Sequence, residues 1–165
     1  MPFSELLLPE FDAEIVNTRK TLERMPTDKG SFAPHPRSTP LQRLAPHVAQ
    51  LVGFGHIVLT TPELDFATAG MKPLAFESPA QLVRALDEGA AKTRAALKAT
   101  SDSAWMEPWK LSINGNPIFT GTRFQAYRAM FMNHIVHHRA QLGVYLRMND
   151  LPVPSIYGPS ADAQS

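Results

Sequence analysis

Seven positions near the C-terminus, Phe124, Tyr127, Phe131, His134, His138, Leu142 and Tyr145, follow one another at intervals of three or four residues. Only an α-helix, at about 3.6 residues per turn, brings such positions onto one face. The stripe commits the segment from about residue 122 to 149 to one long amphipathic helix. Its inner face is apolar except at two imidazoles. A helix of this kind must bury its apolar face against others, so the rest of the chain is read for partners.

Three further stripes supply them. Residues 4–25 carry Phe11, Ile15, Thr18, Leu22 and Met25 at helical spacing, with Glu14, Lys20 and Glu23 outside the stripe. Ser4 is a candidate N-cap, while Pro9 moves the expected start toward Glu10. A proline-bearing connector follows over 26–39. Thr39-Pro40 then supplies a cap and a first-turn proline. The second helix has Leu41, Leu44, Val48, Leu51 and Val52 inward, His47 within that face, and Gly53 and Gly55 fraying its end. Residues 56–77 have no clear period. Thr61-Pro62-Glu63 is a candidate start for a short helix, and Gly70 to Pro73 reads as loop. Ser78-Pro79 opens a third helix to about Ala99, with Leu82, Ala85, Leu86, Ala90, Thr93 and Leu97 inward. Asn114-Gly115, flanked by Trp109, Leu111, Ile113, Ile118 and Phe119, signals a hairpin. The expected fold is all-α: a four-helix bundle with a short hairpin before the last helix, one domain spanning 1–165. The tail Leu151-Pro152-Val153-Pro154-Ser155-Ile156-Tyr157 is expected to lie extended across the bundle.

Composition narrows the function. The chain has no Cys, which excludes disulfides, cysteine nucleophiles, Cys-based zinc fingers and Fe–S clusters. A net charge of +1 without a basic run gives no support for nucleic-acid binding. The N-terminus lacks a basic leader, and Leu6-Leu7-Leu8 is too short for a signal peptide or membrane span. The expectation is a soluble cytoplasmic protein.

Histidine carries the chemistry. His134 and His138 lie one helical turn apart, which places their side chains roughly 6 Å apart. One ion can bridge such a pair at about 2.1 Å from each nitrogen. With His47 on the inner face of an earlier helix, three nitrogen donors and no thiolate describe a divalent metal site with open positions. Zinc, nickel and iron(II) all suit imidazole. The competing reading is a bundle whose histidines are hydrogen-bonded separately, without metal. Ile135 stands where a zincin would need Glu, so an HExxH mechanism is unsupported. His137 points away from the stripe centre and reads as surface, or as support for the ligands. His56 and His35 read as loop surface. Arg139 is expected to pair with another helix rather than anchor an anionic substrate. Gln141 is placed to hydrogen-bond the outer nitrogen of a ligand. Trp105, Trp109 and Tyr127 read as core. Met130 and Met132 are expected on an exposed face that would suit a dimer.

The blocks Leu44-Ala45-Pro46-His47-Val48-Ala49 and His134-Ile135-Val136-His137-His138-Arg139-Ala140-Gln141-Leu142 resemble the DinB/YfiT-like superfamily. So does the tail from Leu151 to Asp162. The resemblance implies an up-down-down-up four-helix bundle, often a homodimer. In that family three histidines bind a divalent ion, at positions matching His47, His134 and His138. Some relatives are transferases or isomerases that use low-molecular-weight thiols. Two departures stand out: Ala140 replaces a common Gly, and Ile135-Val136 replaces a frequent Glu-Ala pair. The resemblance implies a metal-dependent enzyme, a thiol-dependent transferase acting on a small electrophile. A metal-dependent hydrolase and a non-catalytic metal-binding or stress-response protein are the alternatives.

Overall fold

Each helix begins where a nearby acceptor satisfies its first N–H groups. In the computed structural model, which describes residues 1–163, α1 spans Phe3–Leu22, α2 Leu41–Thr60 and α3 Pro79–Ala99. The last helix is α4 (Arg123–Ala126), a six-residue π-helical stretch (Tyr127–Met132) and α5 (Asn133–Met148) in one run. Ser78 caps α3 by accepting from Gln81 N at 3.2 Å, and Pro79 fills the first turn. Thr122 and Gln125 form a reciprocal capping box at the start of α4. Ser4 is not a cap, because α1 already starts at Phe3 and runs through Pro9. The lost backbone bond at Pro9 is outweighed by tertiary anchoring. The Phe3 ring packs 5.9 Å from Trp105 and 5.5 Å from Phe124, and its N–H donates to Asp102 Oδ1 at 2.9 Å.

The fold is mostly helical, but the all-α expectation needs correcting. A three-stranded sheet flanks the bundle in the order β1-β2-β3. Its strands are β1 (Glu63–Asp65), β2 (Pro108–Ile113) and β3 (Asn116–Thr122). The hairpin expected at Asn114-Gly115 is β2–β3, with both turn residues at positive φ, 51° and 76°. The third strand was hidden. Residues 63–65, expected near the start of a short helix, pair parallel to β2 instead. Asp65 explains why. Its carboxylate accepts from Gly115 N at 2.6 Å, Asn114 N at 3.1 Å and Ala67 N at 2.9 Å, tying β1 to the turn. These N–H groups, Gly115 first, hold its pKa below the usual carboxylate range.

In the bundle α1 packs against α3 and α5, and α2 packs against the same two. α1 and α2 therefore occupy opposite corners, which the long 23–40 connection permits. The α2–α3 crossing is very close. A Cβ on Gly89 would stand 2.7 Å from Gly53 N, and one on Gly55 would stand 2.6 Å from Thr93 Cγ2. Gly53 and Gly55 thus serve helix contact rather than fraying, and α2 continues to Thr60. His56, expected on a loop, is a half-buried residue of α2. The C-terminal end of α2 is held by buried Arg123, which donates to Val58 O at 2.5 Å and Thr61 O at 2.8 Å. A guanidinium there satisfies orphan carbonyls and complements the helix dipole. Trp105, Trp109 and Tyr127 are at most 1% exposed, as their core reading requires. Met132 is also buried, so it offers no dimer face. No helix is long and apolar enough to cross a membrane among the described residues.

Candidate metal centre

Two helices carry the three histidines. His47 follows Pro46 in α2, while His134 and His138 lie one turn apart in α5. The ring centroids are 5.3 Å apart for His47–His134, 4.9 Å for His47–His138 and 4.6 Å for His134–His138. One nitrogen from each ring lies within 4.8 Å of the other two. Tetrahedral coordination places two imidazole donors about 3.4 Å apart, so modest side-chain rotation brings the set onto one cation.

Hydrogen bonds fix the rings with the donor atoms converging. His134 Nδ1 lies 3.3 Å from Met130 O, an acceptor only, so Nδ1 carries the proton and Nε2 presents a lone pair. His138 Nδ1 lies 2.7 Å from Gln141 Oε1, the contact expected of Gln141. With Oε1 as acceptor, His138 Nε2 also presents a lone pair. The two Nε2 atoms are 2.8 Å apart. Two facing lone pairs at that distance repel unless a cation, a proton or a metal ion, stands with them. The donor set therefore fits a divalent ion.

Electrostatics favour the neutral form of His47 and His134. His47 opens onto a cavity and is exposed on that side. The surrounding protein limits its hydration, and together with His138 and His134 it pushes the pKa down to about 4. Burial and then His138 lower His134 as well. Neutral imidazole is the form that ligates.

The π stretch explains a difference from the sequence reading. A continuous α-helix would put His134 and His138 in the core stripe. The wide turn over Tyr127–Met132 absorbs an extra residue and changes which positions of the next two turns face inward, while Leu142 and Tyr145 further on stay buried. Ile135 and Arg139 take the buried positions at 0% and 3% exposure. His134 and His138 move to the half-buried edge, where they meet the cavity. Its volume is about 640 Å³. The walls include Leu51, Phe54, Phe66, Leu111, Ile118 and Met130. Gln50 closes one side by clamping the following loop: its Nε2 donates to Lys72 O and its Oε1 accepts from Leu74 N, both at 2.9 Å.

The remaining candidates lie elsewhere. His137 is exposed, its ring 4.9 Å from His138 and outside the three-donor group. His35 is exposed on its loop. His56 stands apart from the triad, with Nδ1 buried and without a hydrogen-bond partner among the described residues.

Arg139 pairs with another helix, as expected. It forms a buried ion pair with Glu14 of α1 and donates to Tyr157 Oη at 2.6 Å, while Tyr157 Oη donates to Glu14 Oε1 at 2.8 Å. Tyr157 thereby ties the tail across the bundle. Glu14, read as outside its stripe, is only 8% exposed. Its partner is 125 residues away in sequence, so no local pattern could reveal it.

Solved structures share this fold. A DinB-like protein from Bacillus cereus superposes with a TM-score of 0.67 at 19% identity, covering 94% of this chain and 98% of that one. The DinB-like YjoA protein from Bacillus subtilis gives 0.66 at 17% identity, covering 91% and 96%. At such identities the likeness concerns the fold. No curated protein sequence matches this one. The DinB superfamily profile matches residues 10–142, which takes in all three histidines and most of the bundle, and the chain belongs to the DinB superfamily.

Proposed function

We propose that this protein is a metal-dependent enzyme in which His47, His134 and His138 hold one divalent ion, and that it transfers a low-molecular-weight thiol to a small electrophile. The observation that carries the proposal is the convergence of three imidazole nitrogens within 4.8 Å at the edge of a cavity of about 640 Å³. A divalent ion at this position supplies Lewis acidity, which lowers the pKa of a thiol or of water. Met130 O and Gln141 Oε1 hold the protons of the two outer ring nitrogens and so aim the inner ones. The apolar walls limit water around the reacting groups. Zinc, nickel and iron(II) remain equivalent for three imidazoles.

Transfer is the reading we favour over hydrolysis. A free thiol is far more acidic than water, so a smaller lowering of its pKa gives a nucleophile at neutral pH. Among the described residues no Asp or Glu lines the cavity, so no carboxylate repels an incoming thiolate.

The test is metal analysis of protein purified without a histidine tag and reloaded with zinc, nickel or iron(II). About one equivalent per chain is expected, with His138→Ala reducing uptake. The loaded protein is then assayed with low-molecular-weight thiols and a chromogenic electrophile. Unchanged metal content in His138→Ala would remove the ligand assignment. Full loading with no turnover of any thiol would leave a metal-binding protein without this activity.

A further inference from the structure

The cavity beside the imidazoles has a one-sided charge. Among the described residues its only charged side chains are Arg43 and Lys72. Neither takes part in an ion pair among the described residues. Arg43 lies one turn before His47 on α2, so both side chains leave the helix on the same side. Lys72 belongs to the loop that Gln50 clamps against α2. The acid nearest in sequence to the cavity-lining Phe66 is Asp65, and its carboxylate is already engaged by three backbone N–H groups. Leu51, Phe54, Phe66 and Leu111 supply apolar wall.

We infer that the small molecule bound here is an amphipathic anion: a carboxylate with an apolar body. This rests on the cavity being the substrate site proposed above, and it names the chemical class of that substrate. Arg43 and Lys72 meet the carboxylate, and the apolar wall takes the body. Ligand sites commonly combine an apolar lining with a few placed polar groups in this way. An ammonium compound would face two uncompensated positive charges and, once loaded, a divalent ion. Arg offers a carboxylate paired N–H donors, while Lys acts as a point charge. Arg139 is engaged by Glu14 on α1, in line with its expected pairing to another helix, and is not free to meet an anion.

The experiment compares hydrocinnamate with its neutral amide by calorimetric or NMR titration of the full-length protein. Both zinc-loaded and chelator-treated samples are used, with zinc uptake measured alongside. Hydrocinnamate is expected to bind about tenfold more tightly than the amide in both samples. The double variant R43Q/K72Q should lose that preference while keeping the amide affinity and the native circular dichroism spectrum. Equal affinity of the two probes, or no saturable binding of hydrocinnamate, would overturn the inference. So would a preference seen only with zinc and unchanged in R43Q/K72Q, which would assign the anion to the metal. A preference that R43Q/K72Q abolishes, in protein that takes up no zinc, would support this inference while removing the metal reading.

Discussion

His138 is aimed by Gln141: the 2.7 Å contact between His138 Nδ1 and Gln141 Oε1 fixes which ring nitrogen faces His47 and His134. Groups that orient a ligating histidine typically carry a 10- to 100-fold effect on metal affinity. Gln141→Leu should weaken metal binding by about 10- to 100-fold without unfolding the bundle. Competition against a chromophoric chelator measures the first effect and circular dichroism the second.

A different outcome is expected on the other side of α5. Arg139 and Glu14 are a buried pair, 3% and 8% exposed, with Tyr157 bonded to both. Arg139→Met leaves a carboxylate buried without its counter-ion, and breaking one partner of such a pair costs about 3–5 kcal/mol. Denaturant unfolding should show that loss. The double variant Arg139→Met/Glu14→Gln should recover part of it. Metal content per folded chain should stay at the wild-type level, because neither residue touches the three imidazoles.

At the α2–α3 crossing the limit is steric. A methyl on Gly89 has backbone, not a movable side chain, 2.7 Å away. Gly89→Ala should therefore destabilise by about 1–3 kcal/mol, despite the better helix propensity of Ala. Thermal or denaturant unfolding decides this. An unchanged midpoint would mean that the helices separate at little cost.

Acid should act on the metal-free protein in a defined window. His47 is depressed to about 4, against an unfolded value of 6.5, and His134 is shifted the same way. The unfolded chain therefore takes up protons first. Stability should be constant above about pH 7, fall as the pH drops through 6.5 toward 4, and level off for this group below that. His47→Gln removes one contributor, so its melting temperature should vary less across that window. Bound metal should shift the onset of the loss to lower pH, because the ion competes with protons for the same lone pairs.

Much of this was legible because the signals are local. Ser78-Pro79 and Asn114-Gly115 carry their structure in two residues each, and both stand where the sequence puts them. Helical spacing paired His134 with His138, and the family resemblance joined His47, on the inner face of an earlier helix, to them. Three features followed from nothing local. β1 is only three residues, too short for alternation to mark a strand, and its existence depends on Asp65 reaching a turn 50 residues away. Glu14 looks solvent-facing until Arg139 is beside it. The stripe in the last helix assumed 3.6 residues per turn throughout, and the wide turn at Tyr127–Met132 makes it fail at His134 and His138, though not at Leu142 and Tyr145. That is why His134 and His138 border the cavity rather than fill the core. His56, read as loop surface, lies in α2 with a buried Nδ1 that meets no partner among the described residues.

The wide turn also has a meaning for comparing chains. It makes the interval between Thr122 and His134 one residue longer than an unbroken α-helix of the same reach would need. A relative lacking that residue would present its first imidazole at the same angle from an uninterrupted helical ladder. Counting along the chain would then misjudge which residues correspond, and a gap placed within 127–132 restores the match.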